Sequence, residues 1–336
     1  MNINKDKPTD VIALGNALLD FLIEIDEERF LEFNLTKGQF HLVDGKQAQE
    51  LLQKIRKHQL TIDIVPGGSA ANTLRALALL GANVILCGKV GDDNNGKIYV
   101  EEMRNHGVYP RFSSHSQQTG HALTFITPDA ERTFSVHLGA AIELTKEDIL
   151  EEDIKKSKIL HLEGYQLEGK TSDIVLHALQ LAQKHGLTIS LDVADPGVIS
   201  RNKAIFDKII TKYADILFLN EIEALEFSPS PEEAIQNLGK HCEIVVVKLG
   251  KKGSLLHQNH TTSFISAFPA KAIDTTGAGG SYAAGFLYGY GEQWKVQKAA
   301  MLGSYLASKV VELKGVTLKS LDFPNIKQQV EKTWSK

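Results

Sequence analysis

Two cysteines among 336 residues, Cys87 and Cys242, are too few for a disulfide framework and too far apart in sequence for a metal motif. That scarcity fits the reducing cytosol. Long apolar runs are missing too: none reaches the roughly 18 uninterrupted residues that a membrane-spanning helix needs. The polar start, Met1 to Asp10, has no apolar stretch of the kind a signal peptide requires. Secretion and membrane insertion are therefore not expected. Nor is there an excess of positive charge, since 37 Lys and Arg face 41 Asp and Glu for a net charge of -4. A protein whose main partner is nucleic acid or an anionic membrane would need a concentrated basic surface. Internal repeats and low-complexity linkers are absent.

What is present is an ordinary globular composition, 43% hydrophobic and 23% charged, which excludes disordered and fibrous classes. Val11 to Asn16 and Phe21 to Asp26 read as strands, the second alternating apolar and acidic residues. Lys46 to His58 reads as a helix and Thr61 to Val65 as a strand. The turn Pro66-Gly67-Gly68 then opens a helix from Ser69, and Asn83 to Val90 is the next buried strand. His121 to Thr127 and Arg132 to His137 alternate about the turn Pro128-Asp129-Ala130, a hairpin pattern. With Phe21 to Asp26 this hairpin predicts a small separate sheet, a lid. From Lys158 the order is βαβα, with strands at Ile159 to Leu162, Thr188 to Val193, Ile216 to Asn220 and Ile244 to Leu249. Such order predicts a mostly parallel sheet with helices on both faces. Helices are expected from the glycine-rich turn after Asp274 to about Tyr290, and from about Trp294 to Leu313. The expectation is an α/β fold in one domain, 1–336, with lid strands from about 17–26 and 111–137.

Chemistry concentrates in Ile273-Asp274-Thr275-Thr276-Gly277-Ala278-Gly279-Gly280-Ser281, read as a strand-to-helix turn built from residues with almost no side chain. Free backbone N–H groups and the helix dipole suit a phosphate, or the charge that develops in phosphoryl transfer. Gly250 and Gly253 follow the strand at Ile244 to Leu249, where nucleotides bind in parallel sheets. Taken alone, Gly250 is better accounted for by a plain turn into a hairpin. Asn220 and Glu223 stand where hydrated Mg²⁺ and phosphates are held, or else form a helix cap. Near the start, Asn16, Asp20, Gly68, Ser69 and Asn72 combine amides, a carboxylate and close backbone approach, the mixture that vicinal hydroxyls need. Solvated turn and capping roles are the plainer alternatives for Asp20 and Asn72.

These motifs resemble the PfkB, or ribokinase-like, carbohydrate kinase family over about Asp10 to Val316. Gly67-Gly68 with Asn72 resembles its first signature, and Asp274 to Gly280 its second, D-T-x-G-A-G-D. Asn220 to Glu223 is similar to its N-x-x-E element, and Gly250 with Gly253 to its nucleotide-site G-x-x-G. Lys248 stands where many members have threonine. The opening Gly15-Asn16-Ala17-Leu18-Leu19-Asp20, the segment Thr127 to Thr133 and Glu163-Gly164-Tyr165 look most like the adenosine kinase branch.

The resemblance implies ATP and Mg²⁺ as cofactors and a nucleoside or sugar acceptor in a monomer or homodimer. Asn16, Asp20, Gly68, Ser69 and Asn72 would bind the acceptor, with Tyr165 stacking on a base and Arg132 reaching phosphate from the lid. Asn220, Glu223, Lys248, Gly250, Gly253 and Asp274 would serve the nucleotide, Glu223 acting on the metal through water. Gly277, Ala278 and Gly279 would supply the anion hole. The family's second signature ends in an aspartate that takes the proton from the attacking hydroxyl, and here that position is Gly280. A positioned base is worth about 10²–10⁴-fold, so the expectation is impaired phosphoryl transfer over a largely intact ATP cradle. The alternative is a catalytically inactive relative that senses nucleotides or nucleosides. A dinucleotide-dependent oxidoreductase is disfavoured because no early strand leads into G-x-G-x-x-G.

Overall fold

The computed structural model describes residues 6–129 and 131–334, so Met1 to Lys5, Ala130, where a turn was expected, Ser335 and Lys336 lie outside the described residues. Fourteen strands are described: β1 Thr9–Leu14, β2 Leu18–Glu24, β3 Phe40–Leu42, β4 Asp63–Pro66, β5 Val84–Gly91, β6 Val108–His115, β7 Thr119–Ile126, β8 Arg132–Gly139, β9 Ser157–Glu163, β10 Thr188–Asp192, β11 Ile216–Asn220, β12 Ile244–Lys248, β13 Gly253–Gln258 and β14 Thr261–Ser266. Nine of them form one sheet in the order β14-β13-β12-β11-β10-β9-β1-β5-β6. From β12 to β6 the neighbours run parallel, and β13 and β14 close one edge as an antiparallel hairpin.

Alternation along the buried strands builds a core on each face. Val11 and Ala13 pack among Leu74, Leu77 and Phe286, whereas Ile12 and Leu14 pack among Val175, Leu179 and Leu191. Two helices of the first face, Ala278–Gly291 and Val296–Val310, meet backbone to backbone: a Cβ on Gly285 would lie 2.8 Å from Gly303 Cα. The small residues of the first of these helices are what permit that approach. No helix among the described residues is long and apolar enough to cross a membrane.

The second sheet has the order β3-β8-β7-β2-β4, and the hairpin expected at its centre is the antiparallel pair β7–β8. Its composition differs from expectation in three ways. Residues 111–115 are not lid: they belong to β6, which covers the β5 edge of the large sheet, where Arg111 Nε meets Asp153 Oδ2 at 2.5 Å. That ion pair ties the segment to the main body. The strand expected at Thr61 to Val65 instead completes the small sheet as β4, antiparallel to β2, and the short β3 had no pattern long enough to read. Strand β2 also begins earlier than Phe21, because pairing on both edges recruits Leu18 to Asp20. It stops at Glu24, and Asp26 caps the following helix Glu27–Leu31 by accepting from Arg29 N at 2.8 Å.

Candidate active site

The glycine-rich turn is entered from coil, not from the expected strand. Ile273 is 61% exposed and has no sheet neighbour; its N–H and that of Asp274 donate to Val311 O at 2.7 and 3.2 Å instead. Gly277 adopts φ +79°, a left-handed conformation that an L side chain resists, and a Cβ there would also meet Val316 Cγ2 at 2.8 Å. No side chain caps the helix Ala278–Gly291. Ala278 N donates to Thr275 O at 3.2 Å and Ser281 N to Gly277 O at 2.9 Å. The N–H groups of Gly279 and Gly280 are thus the unclaimed donors of the first turn among the described residues, where the helix dipole is most positive. Of the three amides expected in the anion hole, that of Ala278 is already engaged.

This turn walls a cavity of about 910 Å³ beyond the carboxyl ends of the parallel strands. The last residues of four adjacent strands line it: Glu163 of β9, Asp192 of β10, Asn220 of β11 and Lys248 of β12. Ser69, Tyr165, Glu223, Gly250, Gly253 and Gly277 to Gly280 complete that side. Phe268, Pro269 and Ala270 also line it, with Ser304, Ala307 and Ser308 of the helix Val296–Val310. The cavity therefore has a charged floor, an amide-lined corner and a largely apolar slot, as an adenine nucleotide requires.

Electrostatics at the floor centre on Lys248, whose Nζ lies 2.7 Å from Asp192 Oδ2. A Cβ on Gly279 would stand 3.2 Å from the same Nζ, so the ammonium lies beside the first turn of the helix. Burial pulls the Lys248 pKa down, but Asp192 and Glu223 outweigh it and hold the ammonium above its usual value. Burial likewise pushes Glu223 up to about 7, against the pull of Lys248. Two carboxylates thus share one cation. Asn220 does form the cap: its Oδ1 accepts from Ile222 N and Glu223 N, both at 2.9 Å, and its Nδ2 donates to Glu223 Oε1 at 2.6 Å. Capping and lining are the same arrangement here, since the cap is what turns Glu223 inward.

The other expected residues gather between the small sheet and the helix Ser69–Leu80. Gly68, at φ +91°, lies so close to Asn16 that a Cβ would be 2.6 Å from its carbonyl oxygen. A Cβ on Gly67 would be 2.3 Å from Asp20 Oδ1, so only glycine lets the backbone pass the carboxyl group. Asn72 Oδ1 accepts from Arg75 Nη1 at 3.0 Å, and the same nitrogen donates to Pro66 O at 3.1 Å. Arg132 and Asp274 form an ion pair with each other, and Asp274 also accepts from Thr276 N at 3.0 Å and Gly315 N at 2.7 Å. Neither lines the cavity, so Asp274, expected at the nucleotide, is committed instead to joining the glycine turn to the small sheet and to the Gly315 turn. Although burial raises it, these hydrogen bonds and Arg132 hold the Asp274 carboxylate below its usual range.

Burial pushes the Asp20 carboxyl up to about 7, against Arg75 and Arg132. The folded state therefore favours the protonated acid. Its stabilising contribution is complete below the unfolded value near 4 and is lost as pH rises to about 7. Asp20→Asn should remove this loss: its stability relative to wild type is expected to rise by about 1.4 kcal/mol per pH unit through that window, then level off. Urea unfolding from pH 4 to 8 measures it, and a constant difference across the range would rule it out.

Of two lining acids, Asp192 was not singled out from the sequence, and Glu163 entered only within the segment Glu163-Gly164-Tyr165, with no site role of its own. The available signal was a carboxylate closing an otherwise apolar strand, in HLE and in SLD. Thr73 was missed as well. A Cβ on Gly280 would lie 2.6 Å from Thr73 Oγ1, which is itself 3.1 Å from Glu163 Oε1 and 3.3 Å from Ser69 O. A threonine hydroxyl therefore occupies the space beside residue 280.

The chain is similar to known proteins. The model of the pfkB family of carbohydrate kinases matches residues 42–322. A 5-dehydro-2-deoxygluconokinase of Clostridium botulinum (strain Eklund 17B / Type B) is 31% identical over 346 residues, covering 98% of this chain and 94% of the relative. A solved probable sugar kinase from Rhizobium etli CFN 42 superposes with a TM-score of 0.86 at 26% identity, over 97% of this chain and 99% of that one. Adenosine kinase from Sinorhizobium meliloti gives 0.85 at 28% identity, over 97% and 99%.

Proposed function

The chain belongs to the pfkB family of carbohydrate kinases, and from that premise we propose that it moves the γ-phosphoryl group of ATP onto a primary hydroxyl of a small sugar or sugar acid. The observation that carries this is the meeting of the glycine turn with the strand-end cavity. Amides of Gly279 and Gly280, the Lys248 ammonium and an apolar slot of nucleotide size converge there. Positioning and charge stabilisation are most of what phosphoryl transfer asks of a protein. The acceptor would lie between the turn and the small sheet, with Asn16, Asp20, Gly68, Ser69 and Asn72 orienting its hydroxyls.

Among the described residues no group of three or more His, Cys, Asp or Glu is placed to hold a metal ion. Mg²⁺ would be carried on the phosphates and water, as is usual for nucleotide sites. Glu223, one of the two acids sharing Lys248, would be reached through water. The ion would neutralise phosphate charge.

A nucleoside acceptor is the second reading, favoured by Tyr165. Its ring faces that of Phe40 from the small sheet, with centroids 6.4 Å apart and planes 25° apart, an aromatic pair suited to a base.

ADP release with ATP and Mg²⁺ should be assayed against 5-dehydro-2-deoxygluconate, the acceptor in the relatives' name, together with ribose, fructose and adenosine. Slow, acceptor-dependent ADP release that is fastest with a sugar or sugar acid is the expected result. Preference for adenosine would establish the second reading. Tight ATP binding with no turnover, even in Gly280→Asp, would replace both by a non-catalytic nucleotide sensor.

A further inference from the structure

We infer that Arg75 is a positioning residue of the acceptor site: its buried guanidinium fixes the Asn72 amide with the nitrogen outward, so that the acceptor is met there by an N–H donor. The inference rests on the kinase reading above. Arg75 is 3% exposed, and its guanidinium reaches four separate segments. Nη1 donates to Asn72 Oδ1 at 3.0 Å and to Pro66 O, at the end of β4, at 3.1 Å. Nη2 lies 3.0 Å from His106 Nε2 and donates to Val316 O at 3.4 Å. Val316 in turn packs against Gly277.

A guanidinium has donors and no acceptor, so every polar atom that faces it must accept. This decides two orientations. His106 offers an unprotonated Nε2, and its proton therefore sits on Nδ1, 2.8 Å from Glu102 O at the end of the helix Asn94–Asn105. Burial, helped by the Arg75 charge, holds this imidazole below its usual value. Asn72 likewise turns its oxygen to Arg75, which leaves Nδ2 without a partner among the described residues. Asn72 is itself half-buried, and it follows Ser69 by three positions on the same helix face. Ser69 lines the cavity, so the free nitrogen lies at its acceptor side. The loop before the helix is held from behind in the same way: Tyr99 Oη, from the helix that His106 caps, donates to Gly67 O at 3.1 Å. The acceptor must then present a lone pair to residue 72. A hydroxyl, carbonyl or carboxylate oxygen of a sugar or sugar acid meets that demand, and an ammonium group does not.

Asn72→Asp is the first test, because it keeps the oxygen that Arg75 requires and replaces only the outward nitrogen. ADP release is measured with the fastest acceptor of the panel, in wild type or, where wild type is inert, in Gly280→Asp. The expected result is a fall of about 10²-fold in kcat/KM for the acceptor, the cost of polar groups left unpaired in a desolvated site. The KM for ATP should change by less than about twofold, and the urea midpoint should be kept. A kcat/KM for the acceptor within about threefold of the parent would overturn the inference, since the acceptor would not then meet this nitrogen. Arg75→Met separates positioning from support. It should lower kcat/KM for the acceptor by about tenfold or more beside Asn72, but by less than about threefold beside Asn72→Ala, where no amide is left to orient. Arg75→Lys, which keeps the charge and a donor, should recover part of the loss, and it takes the place of Arg75→Met if that variant does not fold. Equal losses beside Asn72 and Asn72→Ala, or a parallel rise in the KM for ATP, would make Arg75 a structural residue only. Either result overturns the inference and leaves the kinase reading intact. If neither wild type nor Gly280→Asp releases ADP with any acceptor, both readings fall.

Discussion

Replacing Gly280 by aspartate is expected to raise kcat about 10²-fold with little change in the KM for ATP. A positioned base is worth about 10²–10⁴-fold, and the low end of that range applies because the new side chain must share its space with the Thr73 hydroxyl. Residue 280 lies in the first turn of the helix Ala278–Gly291, where a carboxylate is favoured by the dipole and the loss of a glycine reduces the entropy cost of ordering. Against this, the new Cβ meets Thr73 Oγ1 at 2.6 Å. Thr73 must turn its hydroxyl away, and as a β-branched helical residue it has few rotamers for doing so. Thr73→Ala combined with Gly280→Asp should therefore match or exceed the single variant in initial-rate assays. An unchanged kcat in both would show that residue 280 does not face the transferred proton.

Lys248→Met is expected to destabilise the fold by about 3–5 kcal/mol near neutral pH, because removing one partner of a buried ion pair leaves the other uncompensated. Here the remaining partners are Asp192, 2.7 Å away, and Glu223, whose pKa near 7 already depends on the pull of Lys248. Loss of the ammonium removes the pull that lowers Glu223, so its carboxyl rises further and the deficit should shrink at acidic pH as it protonates in the folded state. Urea unfolding at pH 5 and pH 8 reads this directly, the larger penalty falling at pH 8. The same substitution should raise the KM for ATP, since the ammonium stands beside the Gly279 amide. A penalty below about 1 kcal/mol, the size for an exposed pair, would show that water enters the cavity floor freely.

The alternation of β7 and β8, the continuous apolar run of β12 and the βαβα order were readable because each depends on neighbours one to four positions apart. So were the ends of those strands, which is why Asn220, Lys248, Gly250 and the turn at Gly277 stood out and do line one cavity. The assignment of residues 111–115 to the lid went astray for the opposite reason. Alternation reports that a strand exists but not which sheet it joins, and the deciding contact, Arg111 with Asp153, spans 42 positions. Asp274 was misplaced similarly. Its motif position pointed at the nucleotide, yet its partners Arg132 and Gly315 lie 142 and 41 positions away and turn it out of the cavity wall.

Residue 280 shows the same division at the site itself. Local sequence determined the glycine turn, the open amides after it and the lack of a carboxylate there, because these follow from which side chains are present and from helix geometry. Only tertiary structure decided what fills the vacated space. Thr73 and Glu163 are 90 positions apart and Glu163 is 117 positions from Gly280, and each alone reads as a helix residue or a strand end. Their approach is set by the packing of the helix Ser69–Leu80 against the sheet and against the helix Ala278–Gly291, a property of shape complementarity between distant segments that no local pattern encodes.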